Sequence, residues 1–305
     1  MTPDDLARIQ VRSHRRTFLG ILAASALGLP FLKNPVFAQD LVYQCPMDPD
    51  VRSNVPGVCP RCGMTLRAGI PEPTEFPMDL TVSPKPPKAG TKTELTFAVH
   101  DPENDKIVQH YQIVHEMLFH MFVVSADLKW FVHDHPVLGA DSKFRYTIEF
   151  PRTGMYRILG DFFPDGATPQ LNAKTVIVPG AQMETPHLTK DYEHRQMTNM
   201  GVSITTEPPV PIAGIETRIF IHLTESEGLE KYIGAWCHML AASDDVIDLM
   251  HSHPFVADGG PEMRFDVYFP RARGYRVWFQ FQKKGVVNTA YFDIPVADIE
   301  AASGN

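Results

Sequence analysis

The chain contains one pattern twice. Ala89-Gly90-Thr-Lys-Thr-Glu-Leu-Thr-Phe resembles Ala213-Gly214-Ile-Glu-Thr-Arg-Ile-Phe-Ile. His120-Met121 precedes His133-Asp134-His135-Pro136, as His238-Met239 precedes His251-Ser252-His253-Pro254. Phe150-Pro-Arg-Thr-Gly-Met-Tyr156-Arg157 resembles Phe269-Pro-Arg-Ala-Arg-Gly-Tyr275-Arg276. Three anchors in one order define an internal repeat, so the fold must be one that can be built twice. Copy one is longer by six residues before its first histidine. Leu95–Val99, Tyr156–Gly160 and Lys174–Val178 in the first copy are short apolar or alternating runs between turn residues. Arg218–Ile221, Tyr275–Phe281 and Ala290–Ile294 are their counterparts in the second. About seven such strands in about 100 residues predict an immunoglobulin-like β-sandwich. The fold class is therefore mainly β, with sandwiches over 76–180 and 199–298. The stretch between them, about Pro179 to Thr198, reads as irregular or as a short helix.

The repeated histidines carry the first chemical signal. Residues i and i+2 of a strand face one side, so His133 and His135 point together, as do His251 and His253. With His120 or His238 on a neighbouring strand, three imidazoles converge in each copy. Such a set suits zinc or copper. Met117, Met121, Met239, Met250 and Cys237 lie close in sequence as further sulfur donors. The competing reading is structural: histidines bonded to backbone, with Pro136 and Pro254 closing the strands. In His115-Glu116-Met-Leu-Phe-His120 the second histidine comes five positions after the first, not the four of a helical zinc-protease motif. Cys237-His238-Met239 has blue-copper ligand types, but neighbours on a strand point apart. No phosphate loop, dinucleotide fingerprint or serine nucleophile elbow is present.

Upstream, three of four cysteines fall within residues 45–62. The segment reads Tyr43-Gln-Cys45-Pro46-Met47-Asp48-Pro49, then Pro56-Gly57-Val-Cys59-Pro-Arg-Cys62-Gly63-Met64. Cys-x-x-Cys-Gly turns two thiolates towards one ion, because glycine permits a positive-φ corner. Thiolate with thioether is a soft donor set, suited to Cu(I), Ag(I) or zinc. Cys45, Met47, Cys59, Cys62 and Met64 are the candidate ligands, and Asp48 is the nearest fourth ligand for zinc. A Cys59–Cys62 disulfide and a purely structural zinc knuckle remain alternative readings.

This motif resembles the heavy-metal-binding domain found beside copper and silver efflux components and P-type metal ATPases. The match runs from Tyr43 to about Leu66 and places a module at 41–69. The family pattern usually has histidine after Cys-Pro-Met, where this chain has Asp48. The resemblance implies metal binding or handover rather than catalysis, and a metal-efflux or envelope protein as partner. The repeats are similar to uncharacterised exported modules attached to such segments.

Arg15-Arg16-Thr-Phe-Leu, an apolar run to Leu32 and Val36-Phe37-Ala38 form an export signal over 1–38 that resembles the twin-arginine type. Cleavage after Ala38 and a periplasmic or otherwise exported destination are expected, with no membrane span afterwards. The chain carries net charge −8, and removing the first 38 residues, net +3, leaves −11. Nucleic-acid binding is excluded, since phosphate contacts need clustered Lys and Arg. The expected function is that of an exported copper-type carrier, buffer or resistance accessory, not an enzyme. A copper- or zinc-dependent redox enzyme using the histidines, and a docking module for an efflux assembly, are the alternatives.

Overall fold

The computed structural model describes residues 42–46, 48, 51–61, 63–69, 74–255 and 257–300. The expected export signal, Met47 and Cys62 lie outside the described residues.

The small module is a three-stranded antiparallel sheet of β1 (Tyr43–Gln44), β2 (Arg52–Ser53) and β3 (Arg67–Ala68), with β1 central. Copy one comprises β4 (Met78–Ser83), β5 (Lys92–Val99), β6 (Phe119–Ser125), β7 (Phe131–Asp134), β8 (Val137–Leu138), β9 (Phe144–Glu149), β10 (Gly154–Phe162) and β11 (Gln170–Val178). These form two antiparallel sheets, β4-β5-β9-β8 and β11-β10-β6-β7. Copy two contains β12 (Arg195–Gln196), β13 (Gly201–Glu207), β14 (Glu216–Thr224), β15 (Leu229–Glu230), β16 (His238–Ser243), β17 (Leu249–Ser252), β18 (Glu262–Tyr268), β19 (Gly274–Lys283) and β20 (Val286–Pro295). Its sheets are β12-β13-β14-β18 and β15-β19-β16-β17, with β20 also on β19. Each copy is an immunoglobulin-like sandwich, and the stretch between them is irregular up to β12.

The third anchor of the repeat is a tyrosine corner. Tyr156 lies near the start of β10, and its hydroxyl donates to the Arg152 carbonyl at 2.7 Å; the Tyr275 hydroxyl lies 3.2 Å from the equivalent Arg271 carbonyl but is closer, at 2.7 Å, to the Asp248 carboxylate. Each corner arginine then pairs with an aspartate of the turn after β6 or β16: Arg152 with Asp127, and Arg271 with Asp245.

A sandwich strand normally alternates buried and exposed positions, but β6 and β16 are buried at every residue. Both faces are covered. Phe119, Met121 and Val123 enter the core of copy one, while Phe122 and Val124 enter a separate cluster. Met239 and Ala241 enter the core of copy two, while Leu240 and Ala242 join that same separate cluster. Leu128, Leu159, Val246 and Trp278 complete it, and Phe131 stacks on Trp278 with ring centroids 5.0 Å apart. The two repeats are thus docked through the sheets that carry the histidines. Each large apolar side chain buried there contributes about 1.5–3 kcal/mol.

The docking is reciprocal. Arg157 donates to the Val246 carbonyl at 3.1 Å, and Arg276, its counterpart in the repeat, donates to the Leu128 carbonyl at 3.0 Å. Equivalent groups exchange equivalent bonds, the pattern of an approximate twofold between unequal halves.

Candidate metal centre

The strand register brings the histidines together. In copy one Phe122 pairs with His133 and Met121 with Asp134, so continuing by one residue sets His120 opposite His135. In copy two Leu240 pairs with His251 and Met239 with Ser252, which sets His238 opposite His253. The His120, His133 and His135 ligand atoms lie within 4.8 Å of one another, and so do those of His238, His251 and His253. Both sets sit on the docking faces and therefore share one site. Ring centroids of His133 and His238 are 5.1 Å apart, and those of His120 and His251 are 5.7 Å apart.

Outer hydrogen bonds decide which nitrogen each ring offers. His120 Nε2 donates to the Val114 carbonyl at 3.0 Å, and His238 Nε2 donates to the Tyr232 carbonyl at 2.9 Å. In the neutral rings Nδ1 is then a lone pair pointing inward. The Gln280 amide nitrogen donates to Thr289 at 2.9 Å, which turns its oxygen to accept from His133 Nδ1 at 2.7 Å. The Asp161 carboxylate accepts from His251 Nδ1 at 2.5 Å. These two acceptors occupy equivalent positions, five residues after the corner tyrosines, and each reaches the histidine of the other repeat. Both rings so held present Nε2 inward. Metal-ligating histidines are oriented in this way.

The inward nitrogens crowd. His120 Nδ1 lies 3.3 Å from His133 Nε2 and 3.1 Å from His135 Nε2, and His238 Nδ1 lies 3.0 Å from His253 Nε2. His251 Nε2 is buried without a hydrogen-bond partner among the described residues. Lone pairs facing lone pairs repel unless a cation sits between them. Protons are poorly suited to that role. Burial, then repulsion from His251, pushes His120 down to about 3. Burial first, and neighbouring imidazoles next, also holds His133, His238 and His253 well below the usual range. Neutral, inward-facing, buried imidazoles are the donor set of a borderline metal ion, so the residues fit such an ion.

The small module holds a second cluster. Cys45, Asp48 and Cys59 place their ligand atoms within 4.8 Å of one another. Asp48 Oδ2 is 3.2 Å from Cys59 Sγ and 3.7 Å from Cys45 Sγ, while Arg61 holds its other oxygen at 3.0 Å. Gly63 adopts φ 76° and donates to the Cys59 carbonyl at 2.9 Å, the corner expected of the knuckle. Met64 is buried beside Cys45 and Cys59, with Val114 and Phe163 of copy one in the same cluster.

Several expectations need correction. Met121, Met239 and Cys237 do not serve the histidines, because strand alternation turns them into the sandwich cores. Met250 likewise packs against the core of copy two. His115 was not expected at the site. It lies there all the same, its ring centroid 3.8 Å from that of His253 and 5.7 Å from that of His238. No strand periodicity reaches it; the only sequence signal was a histidine five residues before His120. A cleft of about 270 Å3 runs from Pro60 and Arg61 of the module to His253, Pro254 and Phe255 of copy two. No helix among the described residues is long and apolar enough to cross a membrane.

Comparison with known proteins accords with this division. Residues 42–68 match the heavy metal binding domain. No curated protein matches the chain. Among solved structures, the adhesin InvE of Yersinia pseudotuberculosis is similar at 11% identity and TM-score 0.25, over 73% of this chain and 60% of that one. The Escherichia coli adhesin FdeC is similar at 11% identity and TM-score 0.26, over 77% and 68%. A two-domain fibronectin type III segment of chicken tenascin is similar at 11% identity and TM-score 0.23, over 73% and 100%. The sandwich assignment rests on the strand pairing above, not on these likenesses. Residues 75–178 and 196–298 each match the domain of unknown function DUF8832, and with most of its length in those two matches the chain belongs to that family.

Proposed function

We propose that this is an exported protein that binds copper-type ions as cargo, as a carrier, buffer or resistance accessory. The observation that carries the reading is the six-histidine centre. Three imidazoles from each repeat, buried or half-buried, converge on one another, with the orientation of His120, His238, His133 and His251 set by Val114, Tyr232, Gln280 and Asp161. Imidazole suits Cu and Zn alike, while the thiolates of the small module favour Cu(I) over harder ions. The matched heavy metal binding domain supports a metal as the ligand class. The twin-arginine-like start supports export of a folded chain to the periplasm.

Metal analysis and Cu(I) titration of the mature protein test this. Copper is expected to bind the native chain, with separate losses in His133→Ala/His251→Ala and in Cys45→Ser/Cys59→Ser. If the native chain binds Cu(I) no more tightly than a variant lacking both donor sets, the reading is wrong.

One observation favours a second reading, a copper-dependent redox enzyme. The two histidine sets face each other at ring separations of 5.1 and 5.7 Å, so two bound ions would be neighbours. Oxygen uptake by the copper-loaded protein with an added reductant separates the two: turnover supports the enzyme, and stoichiometric binding without turnover supports the carrier.

A further inference from the structure

The two donor sets are joined by two consecutive residues, Val114 at the thiolates and His115 at the histidines, and His115 lies outside both triads. Val114 packs against Cys45, Cys59 and Met64. The next residue, His115, lies on the six-histidine centre, with its ring 3.8 Å from that of His253 and 6.5 Å from that of His120. It is 6% exposed, and its Nε2 is buried with no hydrogen-bond partner among the described residues. The fold does not require a histidine here. His115 has φ 47°, and Ile233, at the equivalent position of copy two, has φ 48° in the same turn. That turn forms with an aliphatic side chain in one repeat. The imidazole therefore occurs in the repeat whose turn touches the thiolates.

We propose that His115 is the transfer ligand through which an ion passes from the Cys45–Asp48–Cys59 site to the six-histidine centre. This deepens the cargo-binding reading and rests on it. Bonds from the ion to the Cys45 and Cys59 sulfurs and the Asp48 oxygen break in turn as one bond to a His115 nitrogen forms, and that bond is then exchanged for bonds to His253 and His238. The ion keeps its oxidation state, no electron moves, and the released thiolates take up protons from solvent. The module is thus the entry port, and the buried centre is the store.

Co(II) distinguishes the two donor sets optically, since only thiolate ligation gives an intense near-ultraviolet charge-transfer band. One equivalent is mixed rapidly with the apo mature chain. The thiolate band should rise first and then decay to a nitrogen-ligated spectrum. His115→Asn, chosen because asparagine tolerates positive φ, should show the same rise and the same final spectrum, with decay slowed about tenfold or more. The common end-point shows that the variant folds and that its store is intact. Decay at the native rate in His115→Asn, a native thiolate band that never decays, or a store that fills with no thiolate phase would each overturn the transfer role. Absence of any Co(II) or Cu(I) binding by the native chain would instead overturn the cargo reading itself.

Discussion

Asp161 and Gln280 occupy the same position in two copies of one fold, and each accepts a hydrogen bond from the histidine of the opposite copy. Their chemistry differs. A carboxylate partner makes an imidazole a more basic ligand than an amide partner does. The set containing His251 should therefore hold its ion more tightly than the set containing His133. Asp161→Asn makes the two partners alike without changing shape. The expected result is a loss of about 10–100-fold in affinity for one ion, with the other nearly unaffected. Competition against a chromophoric chelator, read as two successive binding constants, measures it. An equal loss at both ions, or none, would show that the carboxylate does not discriminate between the sets.

At the scale of elements, the decisive feature is the pair of strands buried on both faces, β6 and β16. Trp278 of β19 lies 4% exposed in the cluster between the repeats, stacked on Phe131 of copy one. Trp278→Ala should cost about 3–5 kcal/mol, the range for removing a buried large aromatic. Because the same interface aligns the histidines, Cu(I) affinity should fall with it. A denaturant midpoint that moves while affinity stays native would mean that the histidine sets bind independently. These strands also mark where the sequence was legible. The convergence of three imidazoles per copy followed from the His-x-His spacing and one neighbouring strand, and the nearness of Cys45, Asp48 and Cys59 followed from the short cysteine-rich segment. The union of the two sets did not follow, because alternation within a strand says which residues share a face and not what covers it. The one hint was the continuous apolar run Met121–Val124, unusual for an antiparallel sandwich. His115 was out of reach for a related reason. It sits on a left-handed turn, where no periodicity assigns a direction. Met121, Met239 and Cys237 misled because nearness in sequence is not nearness on a two-faced strand.

For the whole molecule, the division of ligands would couple metal binding to repeat docking wherever one ion takes nitrogens from both repeats. Three nitrogens come from copy one and three from copy two, and the positioning groups cross between them. Neither repeat alone contains the centre, so an ion that uses both sets binds only the docked state and stabilises it by mass action. At free ion about 100 times Kd, the gain is about 2.7 kcal/mol. The direction of the effect separates the two donor sets. Cys45→Ser/Cys59→Ser should keep the stabilisation once equilibrium is reached, because the thiolates lie outside the interface. His133→Ala/His251→Ala should lose it, because each substitution removes a ligand held from the opposite repeat. Calorimetric unfolding with and without Cu(I) reads both. An ion that stabilises the cysteine variant less than the histidine variant would place the dominant site in the small module and leave the docked repeats as a scaffold.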